Sequence, residues 1–281
     1  MKNNRRLLLK GLGLIPLAAS LPAWADDLAE IRQRGRLRIA VYNDFPPYFT
    51  SAGKGVDADI GRAIAARLGL VPEVIGYNAG EDMNDDLRNM VWKGHYLGTQ
   101  PADVMMHVPV DEHLAKENDK VRIFGPYHRE TLAIARWPDR VPPVAGSAAV
   151  ALEVFTREKI GVETATLADA FLLSVLNGRL RENVVHFKSV AEAAAGLKAG
   201  KVAAILAPRG EVEAAVVGVE KVVIDTPKFA ELKLDNWPLG MAVKVENMGL
   251  AAAIGKALAE LKEDGTVAEI FRRYGISYQP A

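Results

Sequence analysis

The sequence contains no cysteine. That excludes disulfides, thiolate nucleophiles and cysteine-ligated metals. It carries no excess of either charge, with 35 basic residues against 35 acidic ones. No basic stripe stands out, which argues against a nucleic-acid partner. Common catalytic signatures are missing too: there is no GxSxG or HExxH stretch and no Walker loop. Serine, histidine and aspartate are present, but no spacing ties them into a triad. The chain reads as a binder and not an enzyme, and nothing in it implies a cofactor. Beyond the N-terminus, no segment is apolar enough to span a bilayer.

What is present begins with an export signal. "MKNNRRLLLKGLGLIPLAASLPAWADD" has a basic start, an apolar middle from Leu7 to Leu21, and a small-x-small cleavage pattern at Ala23-Trp24-Ala25. "NRRLLLK" also resembles a twin-arginine signal. Pro16 and Pro22 break the apolar stretch and argue against an anchor. Cleavage near Ala25 would leave 256 of the 281 residues. It would remove Lys2, Arg5, Arg6 and Lys10, taking the 35 basic residues to 31 against 35 acidic. An exported chain without disulfides relies on core burial, and this length supports one large domain or two small lobes.

After the signal, the hydrophobic pattern alternates between strand and helix periods. "RLRIAVYN" reads as a strand and "DFPPYFTSAGKG" as a loop. "DADIGRAIAARLGL" reads as a helix with Ile60, Ile64 and Leu68 on one stripe and Gly69 as its stop. "VPEVIGY" and "ADVMMHV" are strands on either side of a helix over "MNDDLRNMVWKG". This βαβαβ order implies a mostly parallel sheet covered by helices. "TLAIAR" is a further strand, and the Pro-rich "WPDRVPPVAGSAAV" marks a boundary. The pattern then restarts from "KIGVET", with a helix over "TLADAFLLSVLNG" capped by Thr166. Strands over "NVVHFKS", "KVAAILA" and "KVVIDT" alternate with helices over "VAEAAAGLKAG" and "GEVEAAVVG". Two helices end the chain. The sequence thus holds two α/β units of about a hundred residues each.

The order of these segments resembles the bacterial extracellular solute-binding proteins of family 3, the amino-acid-binder-like substrate-binding proteins of ABC importers. The resemblance rests on "LRIAVYNDFPPYF", "GVDADIGRAIAARLGL", "KIGVETATLADAF", "SVAEAAAGLKAGKVAAIL", and "PLGMAVKVEN" with the C-terminal segment. It covers nearly all of the chain after the signal. It implies an α/β fold of periplasmic binding protein type II, with two lobes, each a mostly parallel sheet flanked by helices. Lobe one would comprise 26–131 and 237–281, and lobe two 132–236. A ligand cleft between them would close by hinge motion. The resemblance further implies a monomer in the periplasm that captures a small-molecule ligand and delivers it to an ABC permease.

In amino-acid binders of this family, the loop after the third strand supplies an arginine for the ligand carboxylate. Here that loop, "HVPVDEHLAKENDK", has none. The family's ammonium-binding aspartate aligns with Pro208, followed by Arg209. Losing both handles points away from an ordinary amino acid and towards an anionic or aromatic organic solute.

The candidate ligand residues are Asp44, Phe45, Tyr48, His107, Tyr127, His128, Arg129, Thr164, Thr166, Arg209 and Trp237. Phe45, Tyr48 and Phe49 offer aromatic faces for stacking, or fill the core. Asp44 and Asp57 cap or line the same loop. Thr164 and Thr166 stand at a helix N-terminus that favours an anion, and Arg209 offers a clamp. His128 is a hinge-side candidate, and Trp237 lines the cleft or packs in the core.

Two alternatives stay open. "RNMVWKGHYLGTQPADVMMHVPVD" resembles the subgroup associated with periplasmic quinoprotein dehydrogenases. That implies an accessory role, or binding of pyrroloquinoline quinone. The other is a metal site from His107, Asp111 and His113, with His95 and His128 near in space. Glu112 and His113 otherwise read as solvated.

Overall fold

The computed structural model describes residues 24–232 and 234–281, so residues 1–23 of the expected export signal, 1–25, lie outside the described residues. A helix, α1 (Trp24–Arg34), leads into β1 (Arg36–Tyr42), α2 (Val56–Arg67), β2 (Val71–Tyr77), α3 (Met83–Leu87) and β3 (Val104–Pro109). Strand β1 pairs in parallel with both β2 and β3, as the alternating pattern requires. Helix α2 buries Ile60 and Ile64 as expected. It ends on Gly69 at φ +70°, where the Leu70 and Gly69 amides return to the Ala65 and Ala66 carbonyls.

The chain continues through α4 (Glu112–Glu117), β4 (Val121–Arg136), α5 (Ala148–Ala151), β5 (Ile160–Glu163), α6 (Leu167–Ser174), β6 (Val184–Phe187), α7 (Val190–Lys198), β7 (Ala204–Pro208), α8 (Arg209–Ala215) and β8 (Val223–Asp225). It closes with β9 (Asn236–Lys244), α9 (Met248–Glu263) and α10 (Thr266–Arg273). The strand order is β2-β1-β3-β9-β4-β7-β5-β6, with β8 paired to β4. Each end of the sheet is parallel. The middle, where β4 and β9 run antiparallel to each other and to their neighbours, joins the two ends. Strand β4 serves both halves: Val121–Thr131 pairs with β9, and Leu132–Arg136 pairs with β7.

Four apolar clusters cover the faces of this sheet. Two draw on residues 31–127 and the C-terminal elements, among them Leu37, Ile64, Met105 and Phe271. The other two draw on residues 132–232, among them Phe155, Leu172, Leu197 and Ile205. Trp237 packs against one cluster of each half. No helix among the described residues is long and apolar enough to cross a membrane.

Besides β4, which the sequence reading reached only over 131–136, three elements differ from it. The loop after β3 contains α4, capped by Asp111, whose Oδ1 accepts from the Leu114 amide at 2.8 Å. The helix expected over 166–178 stops at Ser174, because Leu176 and Asn177 take left-handed backbone angles. The helix expected over 83–94 becomes a π-helical turn from Arg88 to Trp92.

Candidate functional site

The carboxyl ends of β1, β3 and β5 open onto one cleft, as expected for an α/β sheet. Two cavities of about 480 and 400 Å³ meet there and share Met83, Pro109 and Trp237. The larger is mainly apolar, walled by Leu114, Leu132, Leu167 and Pro208, with Thr166 and Asp111 at its edge. The smaller is lined by Tyr42, Asp44, Phe45, Asp86, His107 and Glu163. Asp44, Asp86 and Glu163 are its charged groups, and among the described residues neither cavity is lined by lysine or arginine.

The aromatic corner is tightly built. The Tyr42 and Phe45 rings meet edge to face at 5.9 Å, and the His107 ring lies 4.9 Å from Phe45 and 4.2 Å from Tyr48. His107 sits at an irregularity in the pairing of β3 and β9, with φ +62°. A non-glycine residue in that region is strained and is held there by its surroundings. Its Nδ1 lies 2.9 Å from Asp57 Oδ2. Tyr127 Oη donates to Asp57 Oδ1 at 2.6 Å and accepts from the His107 amide at 3.2 Å. An ionised Asp57 only accepts, so it places the ring proton on Nδ1.

Asp86 accepts from Tyr42 Oη and from the Gly80 amide, both at 2.6 Å. Burial still raises its carboxyl above the usual range, as it does for Glu163. Burial also pushes the Tyr42 hydroxyl up, with the Asp86 charge adding to it.

The candidate residues divide between wall, core and surface. Asp44, Phe45, His107, Thr166 and Trp237 line the cleft. Tyr48 is only 1% exposed and donates to Glu130 Oε2, so its hydroxyl serves β4. Tyr127 is fully buried over Asp57. His128 is buried and stacks on Phe271 at 4.4 Å. Arg129 donates to the Asn236 side chain at 2.9 Å. Thr164 Oγ1 donates to the Phe187 carbonyl, and Thr166 caps α6. Arg209 donates to Glu213 at 2.6 Å and to Thr226, and it lines neither cavity.

The histidine cluster does not assemble. His107 is in the cleft, Asp111 caps α4, and His113 is exposed beside Glu117. Among the described residues no group of three histidine or carboxylate side chains could hold a metal ion. The sequence reading missed Tyr42, Asp86 and Glu163. Tyr42 and Glu163 end β1 and β5, so the strand-end rule could have found them. Asp86 is in the first turn of α3, where it also reads as a plain helix-dipole residue.

No family model and no curated protein matches the sequence. Solved structures do. An ancestral cationic amino acid solute binding protein is 21% identical, with TM-score 0.67, covering 88% of this chain and 99% of that one. A second structure of it is described as that of a precursor of cyclohexadienyl dehydratase. An amino acid ABC transporter substrate-binding protein from Streptococcus pneumoniae, bound to L-arginine, is 17% identical, with TM-score 0.62, over 91% and 99% of the two chains. An ancestral arginine-binding protein bound to arginine is 26% identical, with TM-score 0.58, over 86% and 98%. The chain therefore has the periplasmic binding protein type II fold, and its structural neighbours include bacterial substrate-binding proteins of amino-acid ABC transporters.

Proposed function

We propose that the protein captures a small organic cation in this cleft and presents it to an ABC importer. The observation that carries this reading is the wall itself. Among the described residues its charged groups are carboxylates, its flat groups are Tyr42, Phe45 and Trp237, and none is lysine or arginine. Carboxylates and aromatic faces both attract cations, the faces through the ring quadrupole. Among the described residues of the wall, an anionic solute or a polyanionic quinone would meet only like charge. Three cationic-amino-acid or arginine binders among the neighbours support the same sign of ligand.

Lobe one would comprise 26–131 and 237–281 and lobe two 132–236, bending at β4 and β9. Removal of 1–25 on export would place the protein in the periplasm. It acts there as a binder: the Asp57–His107 pair braces the aromatic corner and holds the wall in shape.

Thermal-shift measurement on the mature chain tests this, since a ligand that binds only the folded state raises its apparent stability. The panel is arginine, its carboxylate-free analogue agmatine, putrescine, glutamate, succinate and pyrroloquinoline quinone. The expected result is a rise with the cations alone. Because the loop directly after β3 holds no arginine, agmatine should match or exceed arginine. A rise with glutamate, succinate or the quinone and none with a cation would overturn the reading.

A further inference from the structure

The polar side chains of the larger cavity are already in use. Thr166 Oγ1 donates to the Glu163 carbonyl at 2.8 Å and accepts from the Asp169 amide at 3.2 Å. Asn236 Oδ1 accepts from Arg129, and its Nδ2 donates to Asp235 at 2.6 Å. Asp111 is exposed at the rim and spends Oδ1 on capping α4. The backbone is spent in the same way. Pro109, Pro208 and Pro238 all line the cavity and have no amide to donate. The Val110 amide donates to the Pro238 carbonyl at 2.8 Å, and the Asp111 amide to the Pro109 carbonyl at 3.1 Å. A polar group of a solute placed here would lose water without gaining a partner. An apolar group would gain from the transfer.

The first turn of α6 also reaches this wall, through Leu167 and Ala168, and its leading amides have no partner within the helix. Asp169 already stands in that turn, where its Oδ2 accepts from the Ala165 amide at 2.9 Å and its charge offsets the helix end. A solute carboxylate there would meet Asp169 and Asp111 as like charges. The smaller cavity has the opposite character, with Asp44, Asp86 and Glu163 in its wall. Trp237 lines both cavities, so one solute can reach from those carboxylates past the indole into the apolar chamber.

We propose that the solute is an amphipathic monoamine. Its ammonium sits among the carboxylates of the smaller cavity, and its alkyl or aryl body fills the larger one. This rests on the cationic-solute reading above and narrows it. The larger cavity, at about 480 Å³, is within the usual range for a small-molecule pocket. A second ammonium, as in putrescine, would be stranded in the apolar chamber or would leave that chamber unfilled. The carboxylate of an amino acid would meet either the acidic wall or the apolar one. A hydrocarbon body loses nothing in the larger chamber and keeps its charge in the smaller.

Calorimetry with straight-chain primary amines, from ethylamine to octylamine, tests this on the mature chain. Affinity is expected to rise by about fourfold per added methylene until the chamber is filled. Hexylamine should bind about tenfold or more tighter than hexamethylenediamine, whose far end is charged. Tryptamine should likewise bind more tightly than tryptophan. Leu167 lines the chamber and is 42% exposed, so a polar residue there is compatible with folding. Leu167→Ser should flatten the dependence on chain length. Glu163→Gln should instead weaken all the amines by a similar factor and keep the slope. If affinity is flat along the series, or the diamine or tryptophan equals its monoamine, the apolar chamber holds no part of the solute and the cationic-solute reading stands. If none of these amines binds, and neither arginine, agmatine nor putrescine does, that reading fails and this inference with it.

Discussion

His128 is 2% exposed and lies against Phe271 and Tyr278, with its Nδ1 3.4 Å from the Gln279 amide. Burial, and then the charge of His107, lower its pKa to about 4. The unfolded chain takes up this proton near the ordinary histidine value, while the folded chain refuses it until about pH 4. Unfolding therefore binds a proton in that window, and stability rises with pH across it. It is fully present above the unfolded value and lost as pH falls through the folded one. At about 1.4 kcal/mol per unit, the group accounts for up to about 3 kcal/mol between neutral pH and pH 4. Urea unfolding of wild type and His128→Phe at several pH values checks this. The variant should lose clearly less stability on acidification, and parallel curves would remove His128 as the cause. At this scale the sequence was partly legible. Its aromatic first loop and its cleft histidine were identifiable by type and position. Whether Tyr48 turned towards ligand or core was not, because the deciding partner, Glu130, is 82 residues away. Asp57, which fixes His107, is 50 residues away.

The first turn of α8 and the loop between β1 and α2 meet at Gly210. A methyl group there would lie 2.3 Å from Tyr48 Oη and 3.1 Å from Glu130 Oε2, and both of those atoms are buried and hydrogen-bonded to each other. Gly210→Ala must push the two elements apart, with an expected loss of about 1–3 kcal/mol from overpacking. Tyr48→Phe removes the nearest atom but strips Glu130 of a donor, and on its own should lose about 1–3 kcal/mol. The double variant should be less unstable than the sum of the two, since the hydroxyl that blocks the methyl is gone. A double-mutant cycle by denaturant unfolding measures this coupling, and strict additivity would show that the contact is not tight. Element boundaries explain what the sequence left hidden. The βα alternation was readable because the inner parallel strands β1, β3, β5 and β7 are largely apolar and buried. β4 was readable only over 131–136, because Gly125 and Pro126 interrupt its pattern upstream, where the register with β9 shifts. Helix α4 buries no residue, so it leaves no hydrophobic period to find.

Over the whole molecule, the apolar clusters fall into two sets that share no buried residue, and two antiparallel strands run between them. A bend is expected where the cores are not continuous, and the cavities have walls drawn from both sets of elements. Trp237 packs against an apolar cluster of each set. A ligand shifts an open–closed equilibrium only by its difference in affinity for the two states. A cation held by Asp86 and Asp44 from one half and by Glu163 from the other gains its second set of contacts only on closure. Saturation with a binding cation should therefore reduce the radius of gyration by small-angle scattering. Ligand at a hundredfold excess over Kd should also stabilise the fold by about 2.7 kcal/mol, a shift of several degrees in Tm. Glu163→Gln should bind more weakly and contract less at equal occupancy, because the second half then has less to hold. The tryptophan emission change on binding should vanish in Trp237→Phe while the contraction persists, since that substitution removes the reporter and keeps an aromatic face. A Tm rise without any contraction would mean that the cation is held by one half alone, and that the two cores move as a single body.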